Sequence, residues 1–364
     1  MPDHNVTILI PDISGFTEFM TSTELNHASH AVSIFIGTII KAVEEEYEVS
    51  EIEGDAVLLI RKGMPPSKKE ILDTCLKIFN AFHYQRKWMQ MYTVCPCGAC
   101  QAIINLTLKF VVHHGLVSEI KVGRFTTHSG AEMIVAHRLL KNSIGNNEYV
   151  LITEKLLQQM KDSPEAIEME WSSLSEEYPA IGKVEYRFAL LNEARKKVSD
   201  PPPPDNNYRT DKTPYLEVEI SANFRDVYMT MMDIEGRYKW MPGMQKAEQE
   251  VPELLIGSTH HCTFENYHAT ISPLRMTLSE EGIMYAERCN VQEMHLSLIY
   301  EFVFKKMDEK RCMLTTRFIN DSECFIPEEL NAALFDQLQQ MCESLKAYCE
   351  KMKETSFPTL LKIS

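Results

Sequence analysis

The chain has 364 residues, with 37 Lys and Arg against 52 Asp and Glu for a formal charge of −15, and 44% of its residues are apolar. At roughly 150 residues per domain that length suits about two globular domains, each with its own core. The acidic balance argues against a nucleic-acid or anionic-membrane surface, no run approaches the ~18 apolar residues of a membrane span, and MPDHNVTILI lacks the basic start and apolar stretch of a signal peptide, so a cytoplasmic location is expected.

In chain order, Val6 to Ile10 read as an apolar strand. A capping box at Thr21-x-x-Glu24 then leads into a helix carrying Ala31, Ile34, Phe35, Ile39 and Ala42 at helical spacing. Val49 to Glu53 and Ala56 to Arg61 form two strands about the tight-turn pair Gly54-Asp55. Ile71, Cys75, Ile78, Phe79, Phe82 and Arg86 trace a second helix, and Leu106, Leu108, Phe110 and Val112 alternate as a further strand. This order predicts a ferredoxin-like βαββαβ core.

The clearest boundary is SDPPPPDNNYRTDKTP, whose consecutive prolines favour an extended, semi-rigid linker. The expected division is therefore residues 1–198, a Pro-rich linker 199–213, and a second domain 214–356. In that second domain Leu216, Val218 and Ile220 alternate as a strand, a short helical stretch runs from Asn223 to Met232, and several strands lie between about 258 and 319. Pro327 to Lys353 closes the chain as one long helix, with Leu330, Leu334, Leu338, Met341, Leu345, Tyr348 and Met352 on a single stripe. The predicted class is α+β, with an antiparallel sheet wrapped about the long C-terminal helix.

Two acidic residues stand where chemistry is expected. Asp12 follows the first strand and Asp55 opens the third, and in a ferredoxin-like sheet these strands are antiparallel neighbours, so both carboxylates face one cleft. Such a pair suits Mg²⁺ or Mn²⁺, which keeps open positions for waters and phosphate oxygens. Aspartate is also an ordinary turn residue, and spacing alone does not separate the two uses. Among the ten cysteines, Cys95, Cys97 and Cys100 form C-P-C-G-A-C, which can aim three thiolates at one Zn²⁺. A fourth ligand is sought among His113, His83, His114 and Cys75, and reduced thiols in a loop are the competing reading. Disulfides are not expected without an export signal.

The segments PDISGFTEFM and EIEGDAVLLI resemble the two metal-binding segments of class III adenylate/guanylate cyclases, and HHGLVSEIKVGRFTTHSGAEMIVAHRLLKN resembles a later stretch of that family. Together they span roughly residues 5 to 155, with a likeness to a bacterial branch carrying EIEGDA, a cysteine cluster and HRLLKN. The resemblance implies that Asp12 and Asp55 bind metal, with Ile13 lending a backbone carbonyl. It implies that Glu51 selects a guanine-type base with Thr127 as its partner, and that Arg138 stabilises charge on the transferring phosphoryl group. Ile134 stands at the family's ribose-orienting asparagine and cannot do that work, and Ala131 replaces an acidic or polar residue. The family assembles its site across a homodimer, so a second copy is expected to supply Arg138.

The stretch LEVEISANFRDVYMTMMDIEGRYKWMPGM resembles the opening of the START/SRPBCC helix-grip superfamily. That implies a cavity for a small hydrophobic ligand, with Trp240, Met241, Met244, Phe264, Tyr267, Met284, Leu334 and Met341 as candidate lining. His260, His261 and His268 read as surface or satisfied core histidines. The functional expectation is a regulatory protein binding a divalent metal and a purine nucleotide, catalytically weak or inactive. The alternative is an active, guanine-leaning cyclase regulated by its second domain.

Overall fold

The computed structural model describes residues 3–22, 25–122, 125–160, 169–204, 215–249, 255–322 and 325–354. Glu24 of the expected capping box and residues 205–214 of the expected linker lie outside them. Contacts divide the chain into two units, residues 1–90 with 102–201 and residues 91–101 with 202–364. The class is α+β. Among the described residues no helix is long and apolar enough to cross a membrane.

In the first unit the chain runs β1 (Asp3–Ser14), α1 (Phe16–Ser22), α2 (Leu25–Val43), β2 (Glu48–Glu53), β3 (Ala56–Lys62) and α3 (Lys68–Tyr92). A short helix α4 (Gly98–Ala102) precedes β4 (Thr107–Val122), β5 (Phe125–Ser129), α5 (Ala131–Arg138), β6 (Tyr149–Thr153), α6 (Glu154–Leu157), β7 (Ser172–Tyr178), β8 (Gly182–Leu190) and α7 (Asn192–Lys196). The strands form one sheet in the order β2-β3-β1-β4-β6-β8-β7, with β5 on β4. Each of its first four strands is antiparallel to its neighbour, the ferredoxin arrangement.

β1 is central and buried without interruption from Val6 to Ser14. Its run of apolar residues is the pattern of a strand covered on both faces, and only at its end does a charge, Asp12, enter the interior. The β2–β3 turn needs a residue at positive φ, which Gly54 supplies at +61°. Gly115 on β4 meets a different requirement, because a Cβ there would lie 2.4 Å from the Glu132 side chain. That space lets the Glu132 carboxylate reach His113 Nε2 at 2.6 Å and Lys155.

In the second unit β9 (Leu216–Ile220) and α8 (Phe224–Met232) precede β10 (Met244–Gln249), β11 (His260–Phe264), β12 (His268–Ser279), β13 (Gly282–Val291), β14 (Leu296–Asp308) and β15 (Arg311–Asn320), and α9 (Glu328–Glu354) ends the chain. The sheet is antiparallel in the order β10-β11-β12-β13-β14-β15-β9. Leu334, Leu338, Cys342, Leu345 and Cys349 of α9 join Tyr285, Leu298, Phe302, Phe304 and Phe318 of the sheet in one core. The helix stripe thus runs through two cysteines, while Met352 at its end is exposed.

Residues 91–101 group with this second unit rather than with the domain that flanks them in sequence. Val94 is fully buried in its core. The Tyr228 hydroxyl donates to the Val94 carbonyl at 2.5 Å, and the Ile256 amide donates to the Tyr92 carbonyl at 2.7 Å.

Candidate functional site

The end of β1 carries the first acidic residue and the β2–β3 turn delivers the second. Asp12 lies opposite Ala56 on β3, and the Ile13 amide donates to the Asp55 carbonyl at 3.2 Å, so the backbone itself holds the two aspartates side by side. Asp12 is 8% exposed. Burial, then the adjacent Asp12 carboxylate, pushes the Asp55 carboxyl up to about 6. The structure thus brings Asp12, Ile13 and Asp55 together.

Lys109 belongs to the same group. On β4 it is the direct cross-strand neighbour of Asp12, and its Nζ lies 2.9 Å from Asp12 Oδ2. Burial works against its charge, but the Asp12 carboxylate outweighs that and holds it protonated above the usual lysine range. The two carboxylates are hard oxygen donors, and Asp12 is already paired with an ammonium. A divalent ion can enter by displacing that ammonium, and the donor set fits Mg²⁺ or Mn²⁺. Replacing the amine should therefore tighten binding: Lys109→Met is expected to lower the Mn²⁺ dissociation constant roughly tenfold in a calorimetric titration, through loss of about 1.4 kcal/mol of competition.

The other residues are placed less simply. Glu51, on the bulged strand β2, lies with Glu53 and His137, their ligand atoms within 4.8 Å of one another. Thr127 sits on β5 opposite Ile120. A bond from Ser50 to His128 Nδ1 of 2.9 Å ties β2 to β5, but among the described residues no hydrogen bond joins Glu51 to Thr127. Ile134 and Arg138 are one turn apart on α5, and both are exposed. Asn142, which follows α5, donates to the Leu139 carbonyl and the Tyr149 hydroxyl at 2.7 Å each, so that part of the HRLLKN segment stabilises the helix end.

Cys95, Cys97 and Cys100 have their sulfurs within 4.8 Å of one another, and the first two are buried. The Cys100 amide donates to Cys97 Sγ at 3.4 Å. Hydrogen bonding of the Cys95 thiol to Cys100 and Cys97, with burial, pushes it well up. His113 is not their fourth ligand. Its Nδ1 meets Thr153 Oγ1 at 2.8 Å and its Nε2 meets Glu132, which occupies both ring nitrogens. Among the described residues the ligand cluster holds these three thiols and no histidine or fourth cysteine.

In the second unit a cavity of about 160 Å³ lies between the sheet and α9. Met241, Phe264, Tyr267, Leu334 and Met341 line it, as expected from the sequence, but Trp240, Met244 and Met284 do not. Trp240 and Met244 are core residues, and Met284 alternates onto the face opposite Tyr285. The cavity is not wholly apolar. Glu287 and Tyr300 are directly paired across β13 and β14 and both line it, with Cys289 two residues along. Behind them Arg237 Nη2 lies 3.1 Å from Glu287 Oε2, and the Tyr285 hydroxyl donates to the same oxygen at 2.8 Å. Burial, with Arg237 beside it, pushes His260 down to about 2 and keeps it neutral. Neither Arg237 nor Glu287 was singled out from the sequence; they are 50 residues apart, and only the fold joins them.

The family model described as Protein of unknown function (DUF2652) matches residues 32–149. A protein of Mycobacterium tuberculosis (strain ATCC 25618 / H37Rv), described as uncharacterized, is 28% identical over 163 residues, covering 44% of this chain and 73% of its own. The structural neighbours include class III cyclase catalytic domains. The catalytic core of a rhodopsin-guanylyl cyclase with converted specificity, in complex with ATPαS, is 15% identical with a TM-score of 0.39, over 52% of this chain and 97% of its own. The guanylate cyclase domain of RhGC from Catenaria anguillulae, in complex with GTP, gives 15% and 0.39 over 52% and 98%.

Proposed function

We propose that the first unit binds a divalent cation between Asp12 and Asp55 and presents it to the phosphates of a purine nucleotide, with turnover weak or absent. The observation that carries this reading is the convergence of two carboxylates at the mouth of a buried strand, in segments that resemble cyclase metal-binding segments. When bound, the ion would neutralise phosphate charge. The chain's own groups would hold it through side-chain oxygens, while Lys109 gives way. Weak turnover follows from Ile134, which has no hydrogen-bonding group with which to orient a ribose. Arg138 keeps a fixed cation on the same exposed face of α5, where a second copy of the chain can meet it, and Glu51 with Thr127 remains the proposed base contact.

In the same reading the second unit is a helix-grip module whose cavity takes a small, largely apolar ligand. Its size supports this, since cavities of about 150 Å³ accept a single aromatic ring. The three clustered thiols would hold Zn²⁺, a fit supported by their proximity and by the hydrogen bond that the Cys100 amide donates to Cys97 Sγ. The whole is a regulatory protein, acting in the cytoplasm as a homodimer.

Incubation with GTP or ATP and Mn²⁺ tests the nucleotide reading. Binding that is lost in Asp55→Ala, with little pyrophosphate released, is the expected result. Rapid pyrophosphate release that disappears in Asp55→Ala would replace it with the active cyclase.

A further inference from the structure

A second concavity of the first unit, of about 410 Å³, is lined by His83, Arg86, Lys87, Glu148, Asn192, Arg195 and Lys196. It gathers four cationic side chains, of which Lys87 is paired with Asp200 Oδ1 at 2.7 Å and Lys196 with Glu193 Oε1 at 2.6 Å, while Arg86 and Arg195 share Glu148. The cations come from two separate places, the last turns of α3 and the short helix α7, so the sheet-and-helix packing of the unit brings them together.

Two features set it apart from a solvated basic patch. The first is burial with donors left over. Arg86 is only 5% exposed, and its Nη1 donates to the carbonyls of Ile104 at 2.6 Å and Leu106 at 3.0 Å, yet its buried Nε has no hydrogen-bond partner. His83 is fully buried and neither ring nitrogen makes a hydrogen bond, although Glu148 Oε1 lies 3.5 Å from Nε2. Buried polar groups are nearly always paired, and either tautomer gives His83 one N–H to donate. The second is charge imbalance. Glu148 already accepts from Thr107 and from Arg195 Nη1 at 3.0 Å, so it is shared among the cations rather than matched to one.

We propose that this pocket binds a small phosphate-bearing molecule, with Arg86 and Arg195 as its principal charge contacts and His83 as a neutral donor. Guanidinium groups suit phosphate because their planar forks give several charge-assisted hydrogen bonds at once. The volume falls within the ~300–1,000 Å³ of small-molecule sites, and the net acidity of the chain disfavours a long polyanion such as RNA. The electrostatics agree with the geometry. Burial, then the charge of Arg195, draws Arg86 down to about 10 despite Glu148. Burial, then Arg86, Arg195 and Lys87, draws His83 down to about 3. Glu148 is the carboxylate that Arg86, Arg195 and His83 share.

The site does not depend on the cation reading of Asp12 and Asp55. Thr107, which bonds Glu148, lies two residues from Lys109 on β4 and shares its face, so the two sites are joined through one strand.

The test uses the full chain in EDTA, titrated with sodium phosphate and sodium pyrophosphate against sodium chloride at equal ionic strength. A saturable calorimetric signal and a raised melting temperature beyond the chloride control are expected, with movement of the His83 imidazole signals in the ¹H–¹⁵N spectrum. Arg195→Gln, a half-exposed position that need not disturb the core, should weaken binding about tenfold, and Asp55→Ala should leave it unchanged. A response no greater than chloride overturns the proposal, as does full binding retained in both Arg195→Gln and Lys87→Gln. Loss of the response in Asp55→Ala also overturns it, by assigning the anion to the carboxylate pair.

Discussion

Mn²⁺ at a hundredfold excess over its dissociation constant is expected to stabilise the first unit by about 2.7 kcal/mol, and Asp55→Asn to abolish that effect. For a unit of this size the gain corresponds to a rise of roughly 5–10 °C in the first unit's melting transition. The sign of the pH dependence follows from the raised Asp55 carboxyl. Because its value in the folded chain, about 6, lies above that of an unfolded aspartate, the metal-free unit is more stable in acid and loses that advantage as pH rises to about 6. Above that range Asp55 is ionised beside Asp12, and the ion relieves their repulsion. Below it a proton competes with the ion, so the Mn²⁺ effect should fade between pH 7 and pH 5.

Asp55→Asn should behave in two opposed ways. In EDTA at pH 8 the variant should melt higher than the parent, since one of two repelling charges is gone, while in Mn²⁺ it should gain nothing. A variant that melts lower than the parent under both conditions would mark Asp55 as a turn residue only. Calorimetric scans in EDTA and Mn²⁺ at both pH values separate these outcomes.

The largest loss of stability is expected in the second unit, at Arg237 and Glu287. Arg237 is fully buried and Glu287 is 4% exposed. Their attraction offsets a large desolvation cost, and removing one partner leaves the other charged without compensation. Glu287→Ala or Arg237→Ala should each cost about 3–5 kcal/mol. Glu287→Ala also strands the Tyr285 hydroxyl, and Arg237→Ala strands the Met231 carbonyl that Arg237 Nε reaches at 2.8 Å. The double variant Arg237→Met/Glu287→Leu, which replaces the pair with apolar volume, should cost far less than the sum. A double-mutant cycle in urea unfolding checks this, and additive losses would show that the two charges do not compensate one another.

What could be read from the chain, and what could not, follows from local pattern. Val6–Ile10, the Gly54-Asp55 turn and the α9 stripe were legible because one strong periodicity or one turn residue specifies each. Asp12 and Asp55 could be paired because ferredoxin topology fixes which strands are neighbours. Lys109 was hidden as a polar member of an alternating strand, and only its register against Asp12 reveals its role. The strand β7 was hidden because SSLSEEY has an exposed, polar pattern with no apolar alternation. Arg86 did stand within the apolar stripe of α3, and a charge at a core position is the signal that leads to the anion pocket. The three thiols fell within the expected bounds 1–198 by proximity in sequence, which says nothing about which core a short segment joins.

That excursion of residues 91–101 has a practical consequence. The polypeptide crosses between the units after Gln90, returns after Gln101, and crosses again after Pro201, so scission at the prolines alone does not release two self-sufficient halves. A fragment ending at residue 198 would carry Val94 away from the side chains that bury it, and its complement would lack the backbone carbonyl that satisfies Tyr228. The second unit therefore draws on chain from both sides of the prolines, and the two are expected to fold from one uncut polypeptide.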